Sequence, residues 1–203
     1  MRKILVILLC LPTIIFGQQN FIPGQSYFGQ NNYVEYIAGN LPIIIGVPHG
    51  GILTPSNLPV IHNRGVDNGS FETSILLYDS ISQHTNGCFP HMIISHLHPS
   101  VMNPVREIDT AAGTHPDARN AWNEFHNFID TSKSQITNNW GAGHYFEMHG
   151  NGHSAMWTEV GLGVSKTYLN GSDSLIQSRT NYSTVKNLCT HGGADFLEII
   201  KGP

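Results

Sequence analysis

The sequence predicts an α/β layered domain, and three observations predict it. Apolar, β-branched runs such as Ile43-Ile44-Ile45 and Met92-Ile93-Ile94 alternate with stretches whose apolar residues recur at helical spacing. Continuous apolar runs of that kind suit strands covered on both faces, and strands alternating with helices build a layered core. Finally, 203 residues of which only 12 % are charged suit one well-buried globular domain. A formal charge of −4 gives no basis for nucleic acid or an anionic membrane as partner.

The chain opens with a basic Met1-Arg2-Lys3, an apolar run from Ile4 to Phe16 and the exit Gly17-Gln18-Gln19. This is the pattern of a secretory signal peptide over residues 1–17, which implies a secreted or periplasmic protein whose single domain spans residues 18–203. The run is shorter than the ~20 residues a membrane span needs and contains Pro12, so no stable membrane span is expected. Removing it takes away Cys10 and leaves Cys88 and Cys189, which either pair in an oxidising compartment or stand as two unrelated thiols.

Residues 18–32 read as a polar, extended lead-in. Tyr33 to Ile37 alternates like a strand and is turned by Gly39-Asn40. Leu41 to Val47 reads as a buried strand, stopped by Pro48-His49-Gly50-Gly51, and the Pro-, Asn- and Gly-rich stretch to Asn68 is a loop. A helix is expected from about Ser70, with Phe71, Ile75, Leu76, Tyr78 and Ile81 buried. Cys88 to His96 reads as a strand and Leu97 to Pro116 as irregular. Ala118, Ala121, Trp122, Phe125, Phe128 and Ile129 mark an amphipathic helix from Asp117 to about Ser134. Trp140-Gly141-Ala142-Gly143 is a turn before a short buried strand, His144 to Met148, that ends at His149. Val160 to Val164 reads as one more strand, followed by helical patterns at Ser183–Thr190 and Ala194–Ile200. The last residues look like a helix reaching a turn, so the domain is expected to be incomplete at its C-terminal end.

The chain has 12 histidines, and two of them differ from the rest. His49 and His149 each lie between an apolar strand and a glycine, at the strand end where open α/β sheets collect ligands. The glycine is expected to remove a side chain that would crowd an ion, and the strand end to fix the imidazole. A catalytic zinc takes three N/O ligands and keeps one position open, so a carboxylate is the missing member. Asp67 and Glu72, at the entry to the first helix, are the candidates. Glu72 equally suits an ordinary first-turn acid, and Asp67 a helix cap or a partner that orients an imidazole. Glu147 lies two residues before His149 and so shares its strand face, either as a hydrogen-bond acceptor or as a proton-handling carboxylate. His153, on the Gly-rich turn that follows, is placed to touch metal or substrate. Arg106 can grip a substrate carboxylate bidentately or pair with Glu107 or Asp109. Nucleophile-elbow, phosphate-loop, dinucleotide and His-Glu-x-x-His motifs are absent.

Taken in order, Pro48-His49-Gly50-Gly51, Asp67 with Glu72, Asn103 to Arg106-Glu107-Ile108, the Ala121-to-His126 helix, Glu147-Met148-His149-Gly150-Asn151-Gly152-His153 and Glu159-Val160-Gly161 resemble the N-formylglutamate amidohydrolase family. The resemblance runs from about Leu41 to Val164. It implies a three-layer α/β/α sandwich around a mixed sheet, like that of the zinc carboxypeptidases. It also implies one zinc ion on His49, Glu72 and His149, with Asp67 behind the ligands. Glu147 and His153 would serve catalysis, and Asn103 and Arg106 would bind a small carboxylate-bearing amide substrate. Two departures stand out. Glu147 replaces the family's usual Asp, and the segment from His98 to Arg106 keeps Arg106 but carries Pro99, Val101, Asn103 and Val105 where the family is polar or charged. Family members also continue beyond this length into a region expected to supply a glutamate base. Two functions follow as expectations: a secreted zinc hydrolase, amidohydrolase or carboxypeptidase-like, that cleaves an amide of N-acyl amino acid or C-terminal peptide type next to a carboxylate, or an impaired relative that binds a metal or ligand without turning substrate over.

Overall fold

The computed structural model describes residues 20–152, 161–190 and 193–201, and the N-terminal leader expected over 1–17 lies outside them. The chain divides into two compact units, residues 1–150 and 151–203.

The first unit is built on a mixed sheet. Its strands are β1 (Ser26–Phe28), β2 (Val34–Ile37), β3 (Ile43–Val47), β4 (His91–Ser95) and β5 (His144–Glu147), in spatial order β1-β2-β4-β3-β5. β4, β3 and β5 run parallel, while β1 and β2 add an antiparallel edge. Three helices accompany them: α1 (Ser70–His84), α2 (Ile108–Ala112) and α3 (Pro116–Trp140). Alternation along β3 assigns the layers. Ile44 packs with Ala118, Ala121, Phe125 and Ile129 of α3, whereas its neighbour Ile45 packs with Tyr78 of α1. Successive strand residues face opposite sides, so α1 and α3 cover opposite faces. The expected α/β/α sandwich with a mixed sheet is the architecture found.

The helices show where periodicity succeeded and where it did not. All six apolar residues expected on α3 are buried or half-buried against the sheet. Pro116 opens the helix at a position where its missing N–H costs nothing. The helix continues past the expected end to Trp140, held by buried Ile136, and Gly141 at φ +77° ends it. On α1 the buried line is Ser70, Ser74, Tyr78 and Ser82, and Leu76, expected inside, is 69 % exposed. Phe71, Ile75, Leu77 and Ile81 flank that line half-buried. The hydroxyls of Ser70, Ser74 and Ser82 each donate to a carbonyl three or four residues back, so small polar residues line the sheet-facing side without an unpaired group.

β5 is an edge strand and is exposed, not buried as its apolar residues suggested, because no strand among the described residues pairs with its outer side. Residues 20–32, read as an extended lead-in, contribute β1 and a 3₁₀ turn, and α2 forms within the stretch read as irregular.

Among its described residues the second unit is helical: α4 (Lys166–Leu169), α5 (Asp173–Gln177), α6 (Lys186–Thr190) and α7 (Phe196–Lys201). The strand expected over Val160–Val164 does not form over 161–164, where Gly163 takes φ +69°, a conformation outside the β region. Cys88 and Cys189 are free thiols. Among the described residues no helix is long and apolar enough to cross a membrane.

Candidate metal centre

Three parallel strands deliver the site. The loops that follow β3, β4 and β5 supply His49, Asn103 and His149, all beyond the carboxyl ends of adjacent strands. That is the crevice where open α/β sheets bind ligands. Register explains the meeting of the two histidines: Gly46 lies opposite Glu147 across β3 and β5, so the residues just past each strand emerge side by side. The imidazole centroids are 4.9 Å apart.

Asp67 completes the group. Its N–H donates to the His49 carbonyl, which ties the loop before α1 to the end of β3. Its carboxylate does not cap α1; its carbonyl accepts from the Ser70 backbone and hydroxyl instead, and this leaves the side chain free to turn inward. Asp67 Oδ2 stands 3.2 Å from His49 Nδ1 and 3.0 Å from His149 Nδ1, and the two Nδ1 atoms are 3.2 Å apart. Among the described residues, His49, Asp67 and His149 are a group that can hold a metal ion. A tetrahedral ion with bonds of about 2.0–2.1 Å separates its ligands by about 3.3 Å, close to all three sides of this triangle.

The far nitrogen of each ring is fixed. His49 Nε2 lies 2.7 Å from Asn103 Oδ1, which also accepts from the Val105 N–H. A backbone N–H can only donate, so that atom is the amide oxygen and His49 Nε2 must carry the proton. His149 Nε2 lies 2.9 Å from Glu147 Oε1, and Tyr145 donates its hydroxyl to Glu147 Oε2 at 2.9 Å. Hydrogen bonding from His149 holds the Glu147 carboxyl below its ordinary range even though burial opposes this. An ionised carboxylate only accepts, so His149 Nε2 is likewise the donor. Both rings therefore turn Nδ1 toward Asp67, the arrangement in which an outer partner sets the tautomer of a ligating imidazole.

The ionisable groups of the site shift one another, and with a second proton His149 donates from Nδ1 to Asp67, a proton that a metal ion would have to displace. His49 is 1 % exposed, and burial lowers its pKa below the ordinary imidazole value, against the opposing effect of Asn103. His149 is raised, first by Glu147 and then by Asp67. Burial pushes the Asp67 carboxyl up, but hydrogen bonding from His149 and the positive surroundings outweigh it and leave the carboxyl below its usual range.

The expected site residues divide accordingly. His49 and His149 meet as expected, while the carboxylate beside them is Asp67, not Glu72, which lies exposed on the first turn of α1. Glu147 has both oxygens engaged and positions His149. Asn103, expected at the substrate, is 4 % exposed and holds His49. Arg106 is exposed, and among the described residues its guanidinium makes no ion pair; Asp109 pairs with Arg119. His153 and Glu159 lie outside the described residues.

The glycines beside the histidines permit close approach of neighbouring segments. A Cβ on Gly50 would meet Phe71 at 2.8 Å, and one on Gly51 would press on the His96 backbone. A Cβ on Gly150 would reach Asp67 at 3.1 Å, so a bare residue there lets the Asp67 loop close on His149. Sequence reasoning missed Arg64, whose Nη2 lies 3.0 Å from Asp67 Oδ1 and 3.1 Å from His49 Nδ1. Its only signal was its place three residues before Asp67, and a loop with no regular geometry does not make that spacing informative. No family model, curated protein or solved structure matches the chain.

Proposed function

We propose that the protein is a zinc-dependent amidohydrolase acting on an amide next to a carboxylate. One observation carries the reading. Two imidazole nitrogens and a carboxylate oxygen form a triangle with sides of 3.0–3.2 Å, and each imidazole is held by a fixed acceptor on its far side. Two histidines and one carboxylate are a donor set suited to a catalytic zinc, which leaves a further position for water or substrate. The chemistry such an ion supplies is Lewis acidity, which polarises an amide carbonyl and acidifies the attacking water.

The chain's own residues would divide the work. Asn103 and Glu147 hold the rings in the required tautomer, and Asp67 contributes the negative charge. The exposed guanidinium of Arg106 is available to a substrate carboxylate. The order of motifs, which resembles the N-formylglutamate amidohydrolases, supports the same chemistry, and the basic-then-apolar N-terminus supports an exported enzyme.

The test is zinc content followed by turnover. The purified full chain should hold one zinc, and His49→Ala and His149→Ala should each abolish it. Hydrolysis of N-acyl amino acids should stop with a chelator and return with zinc. Unchanged metal content in both variants would refute the site. One bound zinc without hydrolysis would leave a metal-binding relative in place of an enzyme.

A further inference from the structure

Among the described residues, Arg64 is the one lysine or arginine in direct contact with two members of the candidate triad. Its Nη2 donates to Asp67 Oδ1 at 3.0 Å and to His49 Nδ1 at 3.1 Å. The second contact is the informative one. Asn103 accepts the proton on His49 Nε2, so the lone pair available for a further partner is on Nδ1. An N–H donor and a metal ion cannot share that lone pair.

On this basis, and resting on the metal site proposed above, we propose that Arg64 is a built-in competitor for the metal: a divalent cation and the Arg64 guanidinium exchange on His49 Nδ1. Loading requires the side chain to leave that nitrogen. The structure suits such an exchange, because the Arg64 side chain is 41 % exposed and belongs to a loop without regular secondary structure. A Cβ on the following residue, Gly65, would meet nothing within 4 Å among the described residues, so there is open space at that point of the loop. The two competitors are both positive, and a guanidinium left beside a bound dication would repel it. Asp67 Oδ1 can keep the guanidinium while Oδ2 faces the two histidines, so Arg64 need move away only from His49.

The test compares zinc affinity of the full chain with that of Arg64→Met and Arg64→Lys, by competition with a chromogenic chelator at neutral pH. Arg64→Met keeps the stem and removes both donor and charge. It should bind zinc about tenfold more tightly or better, the scale on which groups around a ligand set tune affinity. Arg64→Lys keeps the charge and should stay closer to the parent protein. Zinc retained by Arg64→Met at a chelator concentration that strips the parent would support the exchange most strongly. Equal or weaker affinity in Arg64→Met would overturn it and leave the metal site standing. No zinc in either protein would overturn the metal site and the exchange together.

Discussion

Replacing Asn103 by Leu tests whether the His49 tautomer is what makes the site. Asn103 Oδ1 accepts from His49 Nε2 at 2.7 Å, and the two residues are 4 % and 1 % exposed, so water cannot take over the bond. Leu is close in volume but accepts nothing. The stranded Nε2–H then costs the desolvation of a buried donor, about 1–3 kcal/mol. The ring can avoid that cost by carrying its proton on Nδ1, where Asp67 Oδ2 accepts at 3.2 Å, but this removes the nitrogen a metal needs. Binding must then reverse the shift, so zinc affinity should fall by about 5- to 150-fold, the equivalent of about 1–3 kcal/mol. The assay is chelator competition at pH 7.5, paired with thermal unfolding to confirm the fold. Asn103→Asp, which restores an acceptor, should recover most of the affinity. If Asn103→Leu binds zinc as tightly as the parent protein, the tautomer argument fails.

The remaining predictions concern packing and pH. Gly150→Ala would put a methyl 3.1 Å from the Asp67 side chain and 3.2 Å from its backbone, so zinc binding should weaken while the unfolding midpoint moves little; an unchanged affinity would count against the close approach. Ser74→Leu should destabilise the fold by about 1–3 kcal/mol through overpacking on the fully buried line of α1. Leu76→Lys, at a 69 % exposed position, should change stability by no more than about 0.5 kcal/mol in urea titration. His91 is buried, and its Nδ1 accepts from the Gly39 N–H and the Tyr36 hydroxyl. Burial lowers its pKa from 6.5 to about 4. The unfolded chain therefore takes up this proton first, so the stability it carries is present above pH 6.5 and is lost as pH falls toward 4. The loss amounts to about 3 kcal/mol. Urea unfolding of the parent and of His91→Gln, which keeps an acceptor but does not titrate, should diverge across that window, and parallel profiles would disprove the assignment.

Much of this was legible from local chemistry alone. Runs such as Ile43-Ile44-Ile45 dictate buried strands because an unbroken apolar stretch has no side to show to water. The spacing of Ala118, Ala121, Phe125 and Ile129 dictates one helix face. His-Gly at two strand ends marked the site, because both backbone direction and the end of pairing are local properties. The sequence could not determine that β3 and β5 are parallel neighbours in register, which is what brings His49 within reach of His149. Nor could it choose Asp67 over Glu72. That depended on the Asp67 N–H binding the His49 carbonyl and on Gly150 admitting the loop, contacts between residues 18 and about 80 positions apart. Serine lined the sheet-facing side of α1 because each hydroxyl bonds to a carbonyl three or four residues back, which hydrophobic periodicity does not register. Sequence determined which residue types stand at strand ends; tertiary structure decided which of their atoms face one another, since a metal site is set by distances of about 3 Å that chain spacing does not encode.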